Sequence, residues 1–418
     1  MTNRRQPLHR LALLAQLVFA PTVLGLIACG GPSGTPTAPS PGAATAPGPT
    51  GTTDPIQTTQ VPPCPSPGVP LFDVLPVDTS DFLAFRPLGF LSPPIHMFPA
   101  KHSSFSMTLP GQAAIPKPVR APGKVWVKEV WEATFSTGGR NYQVYVYPCS
   151  DVRVYFGHVA SLSAKLMAEM QKYPASCNAF FDGTSNVTTC RHENMSVMLD
   201  SGEQMGMGPD SAGVDFGVLD FRRSPSPFVR LDHYDHFYPY WASPLDYFTS
   251  DAANMLASKT GHVFGTQMRT TRPIGGSYVQ DIAGSAQGNW FLPGRYHSNS
   301  SDLSAFLGLA SDYVDPAQPM MAVGTSIRGM SMGLYSFPLS AGGVINRAFR
   351  EVTPDGRTYC YENFLRGQST GGLPLGNPNG IVLLSMPTDT TLGVEFLAGG
   401  SCAGASRSLT ANATQFER

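Results

Sequence analysis

Charged residues are scarce in this chain, at 14% of 418 positions, and they gather into no basic run or stripe. That removes the electrostatic footprint on which nucleic-acid binding depends, so no nucleic acid is expected among the partners. No Cys-x-x-Cys pair occurs among the seven cysteines, which argues against a thioredoxin-like redox centre or a zinc ribbon. Glycine (43), proline (39) and aromatic residues (10%) are plentiful instead. That mixture suits β domains with many turns.

The first residues carry three signals in order. Arg4, Arg5 and Arg10 form a positive segment, and Leu11 to Ile27 is an apolar run broken by Gln16, Pro21 and small residues. Leu26-Ile27-Ala28-Cys29 then matches a bacterial lipobox, in which the cysteine is acylated after cleavage. The run is close to spanning length, so an uncleaved helix is the competing reading. A cysteine where cleavage would leave it favours the lipoprotein: leader 1–28, lipidated Cys29 and a membrane held through acyl chains. Gly30-Gly31 follow, with no Asp to signal inner-membrane retention. The expected location is therefore the bacterial envelope, at the outer membrane or cell surface. Without the three leader arginines the basic residues fall further below the 29 acidic ones, so the mature chain is mildly acidic.

Residues 29–70 read as a tether. They are mostly Gly, Pro, Thr, Ser and Ala, a composition that buries too little surface to offset its ordering entropy. The remaining length suggests two domains, 71–262 and 263–418. Six cysteines stay once Cys29 is used, and an even count in an exported chain implies disulfides. Cys177 and Cys190 bracket a short loop, Cys360 and Cys402 share the last segment, and Cys64 with Cys149 is left by elimination. These are one choice among the 15 pairings that six cysteines allow.

Strand patterns dominate the body. Val125 to Val130 is rich in β formers, and Thr137-Gly138-Gly139-Arg140 marks a turn. From Asn141 to Tyr147, Tyr142, Val144 and Val146 alternate with Gln143, Tyr145 and Tyr147, the period of a half-buried strand. Val152 to Phe156, Met195 to Leu199 and Val214 to Phe221 continue the β pattern. Ser161 to Tyr173 places Leu162, Leu166, Met167 and Met170 at helical spacing behind Ser161 or Ser163 as a cap, and a short helix is expected from Pro244 into Met255, capped by Ser243 or Ser250. Further on, Val352 to Tyr361 reads as a hairpin around Pro354-Asp355-Gly356, and Ile381–Met386 with Leu392–Leu397 as another. Gln280 to Phe291 opens a second small antiparallel barrel or sandwich.

Between Gly89 and Asp220 an ordered set of segments is similar to the lysostaphin-type zinc endopeptidases, which cut peptidoglycan cross-bridges. Val119-Arg120-Ala121-Pro122-Gly123-Lys124-Val125 resembles their V-x-A-x-x-G-x-V strand, and Phe156-Gly157-His158-Val159 their Y-x-H-L segment. Gly202 to Gly208 resembles the G-x-x-I-G-x-x-G turn, and Gly213-Val214-Asp215-Phe216 falls where the family has H-L-H-F. Pro94 to Pro99, with His96, and His102 occupy the place of H-x-x-x-D. The resemblance implies a mainly β fold, an antiparallel β-sandwich of duplicated-hybrid-motif type.

Carried over by position, His102 keeps a metal ligand and His158 a catalytic histidine. The family's ligand Asp becomes Ser106, its last ligand His becomes Asp215, and the first His of H-x-H becomes Gly213. A catalytic zinc site wants three protein ligands and one open position, and a serine hydroxyl that stays protonated is a poor substitute. Zinc is therefore expected to be weakly held or absent. Three readings stay open: a degenerate domain that binds cell-wall or surface polymer, or an envelope protein, without efficient cleavage; a rearranged His102/His158/Asp215 metallopeptidase acting on peptidoglycan peptides; or a structural surface protein whose matches are ordinary turns and strands. Asp232-His233-Tyr234-Asp235-His236 offers another group of metal-capable side chains, but nearby prolines leave no helix to align them.

Overall fold

The computed structural model describes residues 61–109, 111–181, 185–300, 303–403 and 408–418. Cys29, the leader and most of the expected tether lie outside the described residues. The fold is mainly β with antiparallel sheets.

Strands β1 (Ala84–Arg86), β2 (Ser103–Ser106), β3 (Lys117–Arg120), β4 (Val125–Phe135), β5 (Arg140–Cys149) and β6 (Val152–Val159) come first. They are followed by β7 (Ser161–Leu162), β8 (Ala175–Phe181), β9 (Asn186–His192), β10 (Val197–Leu199), β11 (Gln204–Gly208), β12 (Gly213–Asp220) and β13 (Trp241–Ala242). The main sheet runs β1-β2-β12-β6-β5-β4-β9-β8, with β10 added on β4 and β13 on β12. Alternation decides its two faces. Tyr142, Val144 and Val146 of β5 face inward with Val125, Val127 and Val130 of β4, Val154 and Phe156 of β6 and Val214, Phe216 and Val218 of β12. Each fully buried side chain of this kind contributes roughly 1.5–3 kcal/mol. The sheet β3-β11-β7 and helix α1 (Ala164–Met170) pack on that core, through Val119, Leu162, Met205, Leu166 and Met170.

Ser163 caps α1 by accepting a bond from the Leu166 N–H. Ser161 instead belongs to β7. Near residue 244 the expected single helix is two pieces: a 3₁₀ turn at Pro244–Tyr247 and helix α2 (Ser250–Ala257), which starts after Thr249 rather than after Ser243 or Ser250. The last ten residues of the expected tether are held by the body. Val61 is buried, Cys64 is bonded to Cys149, and Ser150 N–H donates to the Pro62 carbonyl.

The second unit holds β14 (Gly288–Trp290), β15 (Leu307–Ser311), β16 (Pro319–Val323) and β17 (Gly333–Tyr335) in one sheet. After β18 (Thr358–Tyr361), a two-strand ribbon forms from β19 (Gly367–Gln368) and β20 (Pro374–Leu375). Strand β18 then heads the order β18-β21-β22-β23, with β21 (Gly380–Thr388), β22 (Thr391–Ala398) and β23 (Thr414–Glu417). None of these sheets closes into a barrel. The β21–β22 hairpin forms as its turn residues suggest, whereas Val352 to Tyr361 is not a hairpin: Asp355 and Gly356 turn the chain, but β18 pairs with β21. The wrong expectation rested on local turn chemistry, and the non-local partner won.

Disulfides join Cys64 to Cys149, Cys177 to Cys190 and Cys360 to Cys402, the same pairs reached by spacing and elimination. One core lies in the first unit and a second, around Trp290, Tyr359 and Phe416, in the other. A third crosses between them. Leu88, Phe90, Met97 and Phe98, from the link between β1 and β2, pack with Phe291, Phe306, Tyr313 and Met320. The second unit therefore fixes the chain segment that leads to His102.

Candidate functional site

The register of three strands assembles the site. Asp215 on β12 lies between Ser104 of β2 and Gly157 of β6, and Arg86 of β1 is opposite Ser104. These positions share the sheet face that points away from the first core. His102 immediately precedes β2 on the same face. His158 should point the other way, since it follows Gly157. Its φ of 60° lies in the left-handed region, which breaks the alternation and turns the imidazole back toward Asp215. Such a conformation costs of order 1–3 kcal/mol and has to be held by its surroundings.

The structure thus brings His102, His158 and Asp215 together from positions far apart in the chain. His102 Nδ1 is 3.6 Å from Asp215 Oδ1, and His158 Nε2 is 3.6 Å from Asp215 Oδ2. The other nitrogen of His158, Nδ1, donates to Asp210 Oδ1 at 3.0 Å, and Asn141 Nδ2 donates to Asp210 Oδ2 at 2.6 Å. Asp210 N–H also donates to the His158 carbonyl. Asp210 and Asn141 carried no motif in the sequence. They are found only through the loop that follows β11.

Gly157 is required by this packing. A Cβ there would run into the Tyr155 hydroxyl and sit 3.1 Å from Asp215 Oδ2. Gly213 is confined as well, because a Cβ would meet the Phe105 carbonyl across the β2–β12 pair. The first histidine of the family's H-x-H has no room at this position. Ser106 lies opposite Gly213, two register positions from the Asp215–Ser104 pair, and is buried.

Charge is distributed unevenly among these groups. Burial pushes the His158 imidazole down, but the charge of Asp215 and the bond to Asp210 outweigh it and hold its pKa up at about 9. Asp210 is raised by burial but held below the usual carboxylate range by His158, Asn141 and Ser211. His102 goes the other way: burial lowers it, and Asp215 only partly opposes this. His96 lies with its ring 5.1 Å from that of His102, and burial, then the charges of His102 and Arg86, keep it well below the ordinary histidine value. At neutral pH the cluster holds a neutral His102, a His158 imidazolium, two carboxylates and the Arg86 guanidinium, which donates to Ser104 Oγ at 3.0 Å.

These residues do not fit a zinc cage. His102 Nδ1 approaches the Ser103 carbonyl at 3.1 Å, and a carbonyl can only accept, so that nitrogen carries the proton. The lone pair is on Nε2, which is buried without a partner, while the nitrogen facing Asp215 is Nδ1. Both nitrogens of His158 are turned to carboxylates. Among the described residues no group of three or more His, Cys, Asp or Glu side chains is arranged to hold a metal ion.

No family model, curated protein or solved structure matches the chain.

The second sequence constellation does not converge. His233 is buried and stacked on Tyr296 at 3.7 Å, Asp232 pairs with Arg230, Asp235 faces His297 at 3.2 Å, and His236 is exposed. Gly329-Met330-Ser331-Met332-Gly333 spells the Gly-x-Ser-x-Gly of a nucleophile elbow. It lies in a turn that leads into strand β17, not in the strand–turn–helix that such a nucleophile needs.

Proposed function

We propose that this chain is an envelope-anchored lipoprotein whose first unit, a diverged relative of lysostaphin-type endopeptidases, binds a cell-wall or surface polymer without cutting it efficiently. The observation that carries the reading is the mutual engagement at Asp215. Two histidines converge on that carboxylate, as a shared ancestry with the peptidases would require, yet the protonated His102 Nδ1 and His158 Nε2 both face it and the other nitrogen of His158 is taken by Asp210. Anchoring through Cys29 rests on the lipobox, and among the described residues no helix is long and apolar enough to cross a membrane.

Three measurements test this. Metal analysis of the purified protein should find substoichiometric zinc, a peptidoglycan zymogram should show no clearing, and sacculi should retain the protein in a pull-down. Cys29→Ala should move the protein out of the detergent-extracted fraction. Continued membrane association of that variant would refute the lipid anchor.

A second reading, metal-assisted hydrolysis of wall peptides at the same three residues, is favoured by their convergence alone. Stoichiometric zinc with cleavage that His102→Ala abolishes would replace the first reading by this one. Failure to retain any polymer, with neither metal nor cleavage, would leave a structural surface protein.

A further inference from the structure

An open sheet ends in strands whose outer N–H and C=O groups need a partner or water. Three sheet ends in this protein are closed by other parts of the chain. Beside β1, the Phe85 N–H donates to the Lys259 carbonyl and the Phe85 carbonyl accepts from Gly261. Beside β18, the Cys360 N–H donates to the Val344 carbonyl and the Cys360 carbonyl accepts from Asn346. At β23, Phe291 and Glu417 exchange both backbone bonds. Strand β8, at the far end of the main sheet, differs. Among the described residues its one partner is β9.

The ladder shows which backbone groups of β8 are open. In β9 the Asn186 carbonyl accepts from Ser136, just beyond β4. Even-numbered residues of β9 therefore bond toward β4, and odd-numbered ones toward β8. The 4.0 Å Cα separation of Cys177 and Cys190 agrees, since opposed residues this close do not bond each other. The bonded pairs are then Ser176 with Arg191, Asn178 with Thr189 and Phe180 with Val187. Ala175, Cys177 and Ala179 turn their N–H and C=O groups outward, along the free edge.

Nothing on β8 discourages pairing. Edge strands are commonly blunted by a lysine, a proline or a bulge. Ala175–Phe181 holds no charged residue and no proline, and its register with β9 runs unbroken. Ala175 to Phe180 are all exposed, so neither face of the strand is covered. The Cys177–Cys190 bond staples β8 to β9, so a partner strand meets an edge that is already extended and has little ordering left to do.

We propose that this edge pairs with the same edge of a second copy, β8 antiparallel to β8 about a two-fold axis, joining the two main sheets. The open groups sit on odd-numbered residues, so an antiparallel register that matches odd with odd can centre on Asn178. Cys177 then exchanges bonds with the partner's Ala179, and Ala175 with the partner's Phe181. Asn178 faces its own copy across the axis in a close pair without mutual backbone bonds. A primary amide both donates and accepts, so it is matched by itself. Two uncharged strands meet without a like-charge pair, and a net charge of −1 gives the copies little reason to repel. A seven-residue strand is about 24 Å long. That contact is smaller than a standard interface, so the association is weak, of micromolar order or weaker.

The test oxidises the purified full chain carrying Asn178→Cys and, separately, Ser176→Cys. On the axis the two Cα atoms at 178 lie about 4.5 Å apart, within the roughly 7 Å that a disulfide tolerates. Those at 176 lie four residues from each other along the strands, about 14 Å. Both substitutions adjoin Cys177, so disulfide shuffling would affect them alike. Asn178→Cys should give at least ten times more covalent dimer than Ser176→Cys on a non-reducing gel. Adding Ala179→Pro to Asn178→Cys removes one outward N–H and no bond to β9, and should cut that dimer at least tenfold. Sedimentation of the unsubstituted chain up to about 1 mM should show a reversible dimer that Ala179→Pro lacks. Equal cross-linking at the two positions, an unsubstituted chain that stays monomeric, or a dimer that persists in Ala179→Pro would overturn the proposal. Oxidation in intact cells that links position 178 to a different protein would overturn it in favour of a foreign strand.

Discussion

The doubly paired His158 makes a pH-dependent prediction that can be followed in detail. Its pKa is held at about 9 against about 6.5 for an unfolded histidine. Proton binding is then tighter in the folded state, so this group stabilises the fold in full below about pH 6.5. The contribution drains away as pH rises through about 9. Each tenfold difference in proton affinity between the two states is worth about 1.4 kcal/mol, so the amount at stake is roughly 3 kcal/mol. The side chain is 13% exposed, so solvent screening takes little from it. Asp210→Asn removes one of the two carboxylates and turns a charged bond into a neutral one, and it should return about half of that figure. Urea denaturation between pH 6 and 9.5 would measure the loss, and histidine NMR would follow His158 directly. Stability of the parent that stays flat over that window, or a His158 that titrates at or below 6.5, would refute the reasoning. On the acid side the sign reverses. His102 and His96 are held below the ordinary value, so the unfolded chain binds their protons more tightly, and stability should fall below about pH 6.5 for that separate reason.

Gly157→Ala should displace the Tyr155 hydroxyl and crowd the Asp215 carboxylate. It should cost about 1–3 kcal/mol, as overpacking does, and NMR should show the His158 titration move. An unshifted His158 would mean that Asp215 is not confined from that side. Removing Cys64–Cys149, with its separation of 85 residues, should cost about 4–5 kcal/mol on the chain-entropy account, against about 3 for Cys177–Cys190 at 13. Urea midpoints of the two double-alanine variants would test that order, and a larger loss at Cys177–Cys190 would contradict it. Glu129→Gln should weaken the hold on Arg153 and Arg191 and lower stability by about 3 kcal/mol, since it leaves two half-buried guanidiniums without their shared anion. A melting temperature unchanged in that variant would show the Arg153–Glu129–Arg191 ion pairs to be solvent-screened.

Local pattern carried much of the fold. The inward set Tyr142, Val144 and Val146 followed from period-two alternation, and the Ser163 cap from its place before the apolar spacing. Where the outcome depended on distant partners, local signals failed. Pro354-Asp355-Gly356 does turn the chain, but nothing near it says that Thr358–Tyr361 will pair with β21. Part of the candidate site was legible by the same measure. His102, His158 and Asp215 stand out because an ordered motif set points at them. Asp210, Asn141 and Arg86 have no such marker, because register and a loop after β11 bring them in. The reversal of His158 was also invisible, since residue spacing assigns it to the wrong face and only its left-handed backbone corrects this.

Ser106, Gly213 and Asp215, the positions where this chain differs from the peptidase motifs it resembles, are physically linked. The close approach of β12 to β2 leaves Gly213 without room for a side chain, so no imidazole can stand there. Ser106, directly across from it, is too short and too weak a base to replace a carboxylate ligand. Asp215 carries the negative charge two register positions along, where its two oxygens face one histidine each. A carboxylate between an imidazolium and a neutral imidazole is stable without any metal, and Asp210 makes it more so by holding the imidazolium from behind. The second unit contributes to the same end, since it packs the Leu88–Ala100 segment that leads to His102. The charge of Asp215 is thus flanked by two histidines, and the second core fixes the walls around them.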